Sequence, residues 1–249
     1  WEWGPMNMPH LRYVTFSYSV GLTQRDNGRF RDLLMSPEFQ KLWGKRFGLR
    51  KVGEERVTND KTGWKFASSV GGVGTGERGD RVILDDPHNV KESESDVVRS
   101  ETVRWFRESM SNRLNDINKS AVVVIMQRVH EEDVSGVILS DYKDYCHLMV
   151  PMRYEPTRYP FGYNGNDIGW LDPREDDGDY AWPERFPPPA LAQFERQPYM
   201  WAGQYQQSPT PRGGGIIKEE SWQLWPSENY PVCELILGSL DTASTEKEQ

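Results

Sequence analysis

The chain has 249 residues, of which 27% are charged and 12% aromatic, and its net charge is −8. This is the composition of a polar globular protein with enough apolar residues for a core, and it excludes an intrinsically disordered chain. No stretch of 18 apolar residues occurs, so the sequence predicts no membrane span. Residues 151–249 hold sixteen Asp and Glu against eight Lys and Arg. Any polyanionic partner must therefore contact local basic patches.

Two further features concern the chain as a whole. Cys146 and Cys233 lie far apart and neither stands in a CxxC motif, so neither a disulfide framework nor a zinc site is indicated. The chain begins with Trp1, and its last residues form a polar stretch with no predicted structural role. We therefore expect it to be a segment of a longer protein.

The N-terminal part of the chain predicts a strand, a helix and a hairpin. Residues 11–20 are rich in β-branched and aromatic side chains and predict the strand. Ser36 followed by Pro37 predicts the start of the helix, because Ser is a favoured N-cap and Pro a favoured first helical residue. Residues 56–69 predict the hairpin, in which polar residues separate two alternating runs.

Two short apolar runs and an intervening helix follow. The runs lie within residues 81–86 and 120–128, and each is of the kind that is buried on both faces of a parallel sheet. Between them, apolar residues at helical spacing predict a helix over about 95–114. The alternation of strands and helices indicates an α/β fold with a mostly parallel sheet flanked by helices. We expect the strands at 11–20, 81–86 and 120–128 to be parallel and central.

Polar residues end both apolar runs. Asp85 and Asp86 follow the first run, and Gln127 and Arg128 follow the second. Because the carboxyl ends of parallel strands meet at one edge of a sheet, we expect Asp85 and Gln127 to lie close together there. A divalent cation could neutralise the carboxylate pair. The alternative is a helix cap or a turn, since Asp is common in both.

The glycine-rich residues 74–79 match GxGxxG but precede a strand, so they do not predict a dinucleotide loop. The chain contains no GxxxxGK[ST] phosphate-binding loop, and a nucleotide-hydrolysing fold would need one upstream of Trp1. From residue 151 the chain is rich in Pro, Gly, aromatic and acidic residues and predicts an irregular linker. Residues 189–207 then predict a helix. Within residues 233–244, an apolar run predicts a strand that ends at Asp241.

Five segments together resemble the large terminase subunit of tailed bacteriophages. In order, they are VTFSYSV (14–20), GTGERGDRVILDDPHNVKESES (74–95), VVVIMQRVHEEDVSG (122–136), GQYQQSPTPRGGGIIKEESW (203–222) and LGSLDTAS (237–244). Members of that family are DNA-packaging motors, in which a P-loop-type ATPase domain precedes an RNase H-like nuclease that cuts concatemeric DNA. The resemblance implies a partial, P-loop-NTPase-like ATPase domain over 1–150, a linker subdomain over 151–230 and the start of the nuclease domain over 231–249.

The resemblance also implies roles for the strand-end residues. Asp85 would hold Mg²⁺ at the phosphates of ATP, and Asp86 stands where the family usually has a Glu that orients the attacking water. Gln127 and Arg128 resemble the motif that senses the γ-phosphate. An alternative for Arg128 is an ion pair with a nearby acidic residue, namely Glu131, Glu132 or Asp133.

Further implied contacts involve DNA and a second metal site. Residues 17–31 resemble a strand and loop that lie near DNA, with Arg25, Arg29 and Arg31 as candidate phosphate contacts. A solvated basic helix face is the alternative. Asp241 resembles the first carboxylate of the nuclease site, which uses Mg²⁺ or Mn²⁺.

The implied partners are double-stranded DNA, the small terminase subunit, the portal protein of the procapsid and further copies of the same chain. The implied location is the host cell cytoplasm, transiently at the procapsid portal. Two other classes stay open: a different helicase-type or translocase ATPase, and a non-enzymatic α/β binding module whose paired Asp residues are caps.

Overall fold

A mixed six-stranded sheet is the centre of the computed structural model, which describes residues 8–72, 76–158 and 169–211. Its strands are β1 (Arg12–Ser17), β2 (Leu49–Val52), β3 (Arg56–Asn59), β4 (Trp64–Ser69), β5 (Arg81–Asp85) and β6 (Ala121–Ile125). Across the sheet their order is β2-β3-β4-β1-β5-β6. Strands β4, β1, β5 and β6 are parallel, and β2 and β3 continue the sheet in antiparallel pairing. The carboxyl ends of the parallel strands therefore meet at one edge.

Helices flank the sheet, as predicted for an α/β fold. They are α1 (Val20–Met35), α2 (Pro37–Trp43), α3 (Asp96–Ser109), α4 (Val134–Asp141), α5 (Pro188–Glu195) and α6 (Pro198–Met200), which leads into a π-helical turn, Trp201–Tyr205. The predicted start of α2 is confirmed, because the Ser36 side chain accepts a hydrogen bond from the N–H of Phe39. None of the helices in the described part is long and apolar enough to cross a membrane.

One expectation about the N-terminal part is wrong. The resemblance gives residues 17–31 as a strand and loop, whereas β1 ends at Ser17 and α1 begins at Val20. The side chain of Asn27 in α1 is fully buried and donates to the carbonyl of Glu54 at 2.8 Å. This contact anchors the helix to the β2–β3 connection, which lies far away in sequence.

One face of the sheet carries the apolar core. Residues in register on parallel neighbours point to the same face, which places Val14 and Phe16 of β1 beside Val82 and Leu84 of β5. Helices α3 and α4 cover this face with a set of buried apolar side chains, namely Val103, Phe106, Met110, Val134 and Ile138. The predicted helix over 95–114 is confirmed by α3, and its apolar positions are the ones that enter the core.

The opposite face is more polar and is covered on one side by α1. Lys65 of β4 points to this face, where its Nζ donates to Oδ1 of Asn27 at 2.9 Å. Asp85 lies on the same face by register. Farther along, Val123 and Ile125 of β6 are 39% and 55% exposed. The prediction that this strand is central and buried on both faces is therefore wrong, because β6 is the outermost strand of the described sheet.

The described residues 151–158 and 169–187 contain little regular structure, as predicted, and the side chain of Arg174 connects several of them. Arg174 donates to the carboxylate of Asp172 and to the carbonyls of Pro151, Met152 and Asp179. The predicted helix over 189–207 is confirmed as α5, α6 and the π-helical turn.

All described residues belong to one compact unit, residues 1–212. The predicted strand that ends at Asp241 lies outside the described residues. The predicted domain boundaries at 150 and 230 stay predictions.

The two faces of α3 provide a matched test of this core. Val103 is 9% exposed and packs in the core, whereas Val97 is 70% exposed on the same helix. Val103→Ala should lower the free energy of unfolding by roughly 2 kcal/mol, because it removes buried methyl groups and leaves a cavity. Val97→Ala should leave stability unchanged or raise it slightly, because Ala has the higher helix propensity. Urea denaturation of both variants measures this, and equal losses would contradict the assignment of the faces.

Candidate functional site

Asp86, the residue after β5, organises the carboxyl edge of the parallel strands. Its φ of 44° lies in the left-handed region, which Asp adopts more readily than most residues. Its N–H donates to the carbonyl of Ile125 in β6 at 2.8 Å, and its carbonyl accepts from the N–H of Tyr18 at 3.1 Å. Asp86 thus ties the end of β5 to the ends of both neighbouring strands.

The carboxylate of Asp86 reaches the polar pair that follows β6. Its Oδ1 accepts from the N–H of Gln127 at 3.4 Å. The register of β5 and β6 pairs Asp85 with Ile125, so the ends of the two strands are level. The prediction that Asp85 and Gln127 lie at one sheet edge is confirmed.

The carboxylate pair stands at the end of β5 and caps no described helix: Asp85 is the last residue of the strand, and Asp86 follows it in a bend. Helix α3 begins after Ser95, and the N-cap of α4 is Asp133. The helix-cap alternative to a cation site is therefore not found in the described part, and the pair lies at a strand end followed by a bend, with Asp86 in the left-handed conformation. This backbone arrangement leaves open what the carboxylates bind.

Asp85 is half-buried on the face that α1 covers, within the electrostatic reach of three charged side chains. Burial, and after it the charge of Asp26, raises the pKa of Asp85, whereas the charges of Arg25 and Lys65 lower it. Burial and the charge of Asp85 also raise the pKa of Asp86, and the N–H of Gln127 opposes this. Both ionised carboxylates are thus destabilised where they stand.

This environment fits a divalent cation. A cation would stabilise two adjacent carboxylates whose pKa values are raised by burial and by a neighbouring carboxylate, Asp26 for Asp85 and Asp85 for Asp86. In the described ranges no group of three or more His, Cys, Asp or Glu converges on one point. Mg²⁺ is commonly held by only one or two carboxylates, with water and substrate phosphates as its other ligands. A single one of these carboxylates would be enough protein ligand in that mode.

Arg128 forms an ion pair with a nearby acidic residue, which was the alternative to its role at the γ-phosphate. Its Nε donates to Oδ1 and Oδ2 of Asp133 at 2.9 and 3.0 Å, and Asp133 is fully buried. The guanidinium also donates to the carbonyls of His130 and Glu131. Asp133 accepts from three backbone N–H groups as well, two in the loop after β6 and one in α4. Arg128 therefore holds the strand-end loop against α4.

The three candidate DNA contacts lie on α1 and are each paired with a neighbouring carboxylate. Arg25 and Arg29 contact Asp26 at 3.1 and 3.3 Å, and Arg31 contacts Asp32 at 2.9 Å. Surface pairs of this kind are weak and screened by solvent, so they do not prevent contact with phosphates. Asp241, the candidate nuclease ligand, lies outside the described residues.

Two residues at the site carried no prediction. Lys65 lies 5.4 Å from the centre of the Phe30 ring, and burial lowers its pKa to about 8. Its signal in the sequence is a lysine between two aromatic residues in a predicted strand. Gln207 accepts a hydrogen bond from the N–H of Arg128 at 3.0 Å through Oε1. It belongs to the QYQQSP motif, which was distinctive but had no assigned role.

His88 connects the turn after β5 to α4. It is 5% exposed, and its Nε2 accepts from the N–H of Val134, the first residue of α4, at 3.0 Å. The N–H groups in the first turn of a helix lack partners within the helix, so the imidazole satisfies one of them. Burial lowers the pKa of His88 to about 4, and the charges of Arg99 and His130 act in the same direction against that of Asp133.

The lowered pKa of His88 in the folded state predicts that the stability of the protein depends on pH. The pKa of His88 is about 4 in the folded state and about 6.5 when unfolded, so its contribution is present above pH 6.5 and is lost as pH falls towards 4. Between pH 7.5 and 5 the loss should be about 2 kcal/mol. In His88→Gln, which has no imidazole to protonate, this part of the dependence should disappear. Denaturant unfolding at several pH values measures the difference between the two proteins.

The control is His10→Gln, because His10 is exposed. This variant should keep the pH dependence of the parental chain. A parental-like dependence in His88→Gln would show that other groups cause it.

Comparisons with known protein families and curated sequences assign no function to the chain. No model of a known protein family matches the chain. No curated protein sequence matches it either. Function must therefore be argued from the strand-end residues and the ordered motifs.

Proposed function

We propose that the chain is part of the ATPase motor of a large terminase subunit, which drives double-stranded DNA into a viral procapsid. The observation that carries the proposal is the meeting of Asp85, Asp86 and Gln127 at the carboxyl edge of a parallel sheet. Ligands of open α/β sheets bind at this edge. The five motifs that resemble the terminase family favour DNA packaging among the nucleotide-driven reactions.

In this proposal the fold is P-loop-NTPase-like, and the phosphate-binding loop lies upstream of Trp1. Asp85 holds the Mg²⁺ that accompanies ATP, and the ion supplies neutralisation of phosphate charge. Asp86 accepts a hydrogen bond from the attacking water and orients its oxygen toward the γ-phosphorus. The new P–O bond forms as the bond to the ADP oxygen breaks, and a proton of the water passes to the released phosphate. The side-chain amide of Gln127 donates to the γ-phosphate. Arg128 contributes through its ion pair with Asp133, which fixes the loop after β6.

A second active site is proposed for the part of the protein that begins with residues 231–249. There the predicted strand supplies Asp241 as one carboxylate of an RNase H-like site with Mg²⁺ or Mn²⁺. The small terminase subunit, the procapsid portal and further copies of the chain are the proposed partners, in the host cell cytoplasm. A helicase-type ATPase is the second candidate, because the same strand-end residues would serve it.

The two carboxylates should have different effects on ATP hydrolysis by the full-length protein. Asp85→Asn should abolish DNA-stimulated hydrolysis and weaken binding of Mg·ATP, because it removes the charge that holds the metal. Asp86→Asn should bind Mg·ATP within about twofold of the parental protein and lose at least about 100-fold in turnover. Asn tolerates the left-handed backbone and keeps an oxygen for the N–H of Gln127, so this variant isolates the charge. Steady-state hydrolysis and fluorescent-nucleotide binding measure the two effects.

The control is Glu101→Ala, because the side chain of Glu101 is 67% exposed on α3. It should hydrolyse ATP at the parental rate. Parental hydrolysis by both Asn variants would refute the assignment of the pair.

The nuclease assignment has its own test. Asp241→Ala in the full-length protein should eliminate Mn²⁺- or Mg²⁺-dependent cleavage of DNA, because a two-metal site loses a bridging or terminal carboxylate. ATP hydrolysis should stay at the parental rate, since the two sites belong to different domains in the proposal. Cleavage of plasmid DNA and ATP hydrolysis are measured on the same preparation. Loss of hydrolysis with cleavage retained would reverse the assignment, and absence of cleavage from the parental protein would favour the helicase-type alternative.

A further inference from the structure

The QYQQ segment, residues 204–207, lies against the end of β6. Gln207 has φ of 55°, a left-handed conformation that is uncommon outside glycine. Its Oε1 accepts from the N–H of Arg128 at 3.0 Å, and its Nε2 donates to the carbonyl of Gln204 at 2.7 Å. The oxygen and the nitrogen of the side-chain amide therefore both form hydrogen bonds. The bond from Nε2 to Gln204 holds the amide so that Oε1 points to the N–H of Arg128.

The backbone of Arg128 is approached by this segment at a second point. A Cβ added to Gly203 would lie 3.0 Å from the carbonyl oxygen of Arg128, closer than most Cβ atoms come to a neighbour. Gly203 is buried in the π-helical turn that immediately precedes Gln206. Residue 128 is thus contacted at its N–H by Gln207 and at its carbonyl by Gly203.

The same segment is joined to residues 152–158. The carbonyl of Tyr205 accepts from the N–H of Met152 at 2.8 Å. The buried side chain of Gln206 accepts from the N–H of Arg153 at 2.8 Å, and it also donates to the carbonyl of Arg153 and to the carboxylate of Glu155. The segment therefore connects the irregular residues after 151 to the end of β6.

The N–H that Gln207 holds belongs to the peptide between Gln127 and Arg128. The preceding N–H, that of Gln127, is held by Asp86. Two consecutive peptides are thus fixed, one by Asp86 and the next by Gln207. The orientation of these peptides sets the direction in which the side chain of Gln127 leaves the backbone.

We propose that Gln207 is a positioning residue of the ATPase site: it fixes the 127–128 peptide, so that the placement of residues 152–158 controls the geometry of Gln127 opposite Asp86. The inference rests on the proposed ATP hydrolysis and assigns to it a regulatory contact from the irregular part of the chain. Gln207 acts through Gln127 and touches neither nucleotide nor water. Its loss should therefore impair turnover more than nucleotide binding.

The test compares Gln207→Ala, Gln207→Glu and Gln197→Ala in the full-length protein. Gln207→Ala should lower kcat for ATP hydrolysis about tenfold or more with KM changed less than twofold, since small misplacements of positioned groups cost rate. Gln207→Glu retains an oxygen that can accept from the N–H of Arg128 but loses the donor to the carbonyl of Gln204, so it should recover only part of kcat. Gln197 has an exposed side chain, and its replacement should change neither constant.

Hydrogen exchange of the Arg128 amide provides a readout that does not depend on activity. Gln207→Ala should accelerate this exchange about tenfold, whereas Gln207→Glu, which keeps the acceptor for this N–H, should accelerate it less. Unchanged exchange, or unchanged kcat with accelerated exchange, would overturn the positioning role and leave the proposed function standing. A rise in KM that matches the fall in kcat would also overturn it. Absence of hydrolysis from the parental protein would instead refute the proposed function, and the positioning role with it.

Discussion

The left-handed residue at the end of β5 is the constraint on which the rest of the site depends. Such a conformation costs about 1 kcal/mol for a residue other than glycine. At Asp86 it is offset by backbone hydrogen bonds to β1 and β6. Two residues farther along, the imidazole of His88 accepts from the N–H of Val134 in the first turn of α4. The backbone of Asp86 therefore joins the ends of three strands, and His88 joins the following loop to a helix.

The alternation of side chains along β5 decides which residues enter the core and which enter the site. Val82 and Leu84 are fully buried against α3 and α4, so Asp85 must point to the face of α1. A register shift of one residue would place this carboxylate in the apolar core. Such a shift is excluded by the high free-energy cost of burying an unpaired charge. On the α1 face, Lys65 and Arg25 balance part of its charge. The apolar packing of one face thus specifies the electrostatics of the other.

The parts of the fold that depend on local sequence were predictable, and those that depend on distant partners were not. Helix α3 and the cap at Ser36 follow from spacing and from capping chemistry within a few residues. The exposure of Ile125 depends on which strand is outermost, and the sequence of a single strand does not predict the order of strands in the sheet. The site also has a predictable and an unpredictable part. The alignment of Asp85 with Gln127 was predictable, because it follows from parallel pairing of the two strands. The bond from Arg128 to Gln207 joins residues 79 positions apart and has no local signature.

The hydrogen bonds that the N–H groups of Gln127 and Arg128 donate differ in how they respond to charge at Asp86. The hydrogen bond from the N–H of Gln127 is long, at 3.4 Å, and its acceptor is an anion that burial already destabilises. A cation at the carboxylate pair would draw electron density from Asp86 and weaken this bond further. The bond to Gln207 has a neutral acceptor at 3.0 Å and is insensitive to that charge. The neutral contact therefore holds the peptide next to the one whose bond to the carboxylate a cation would weaken.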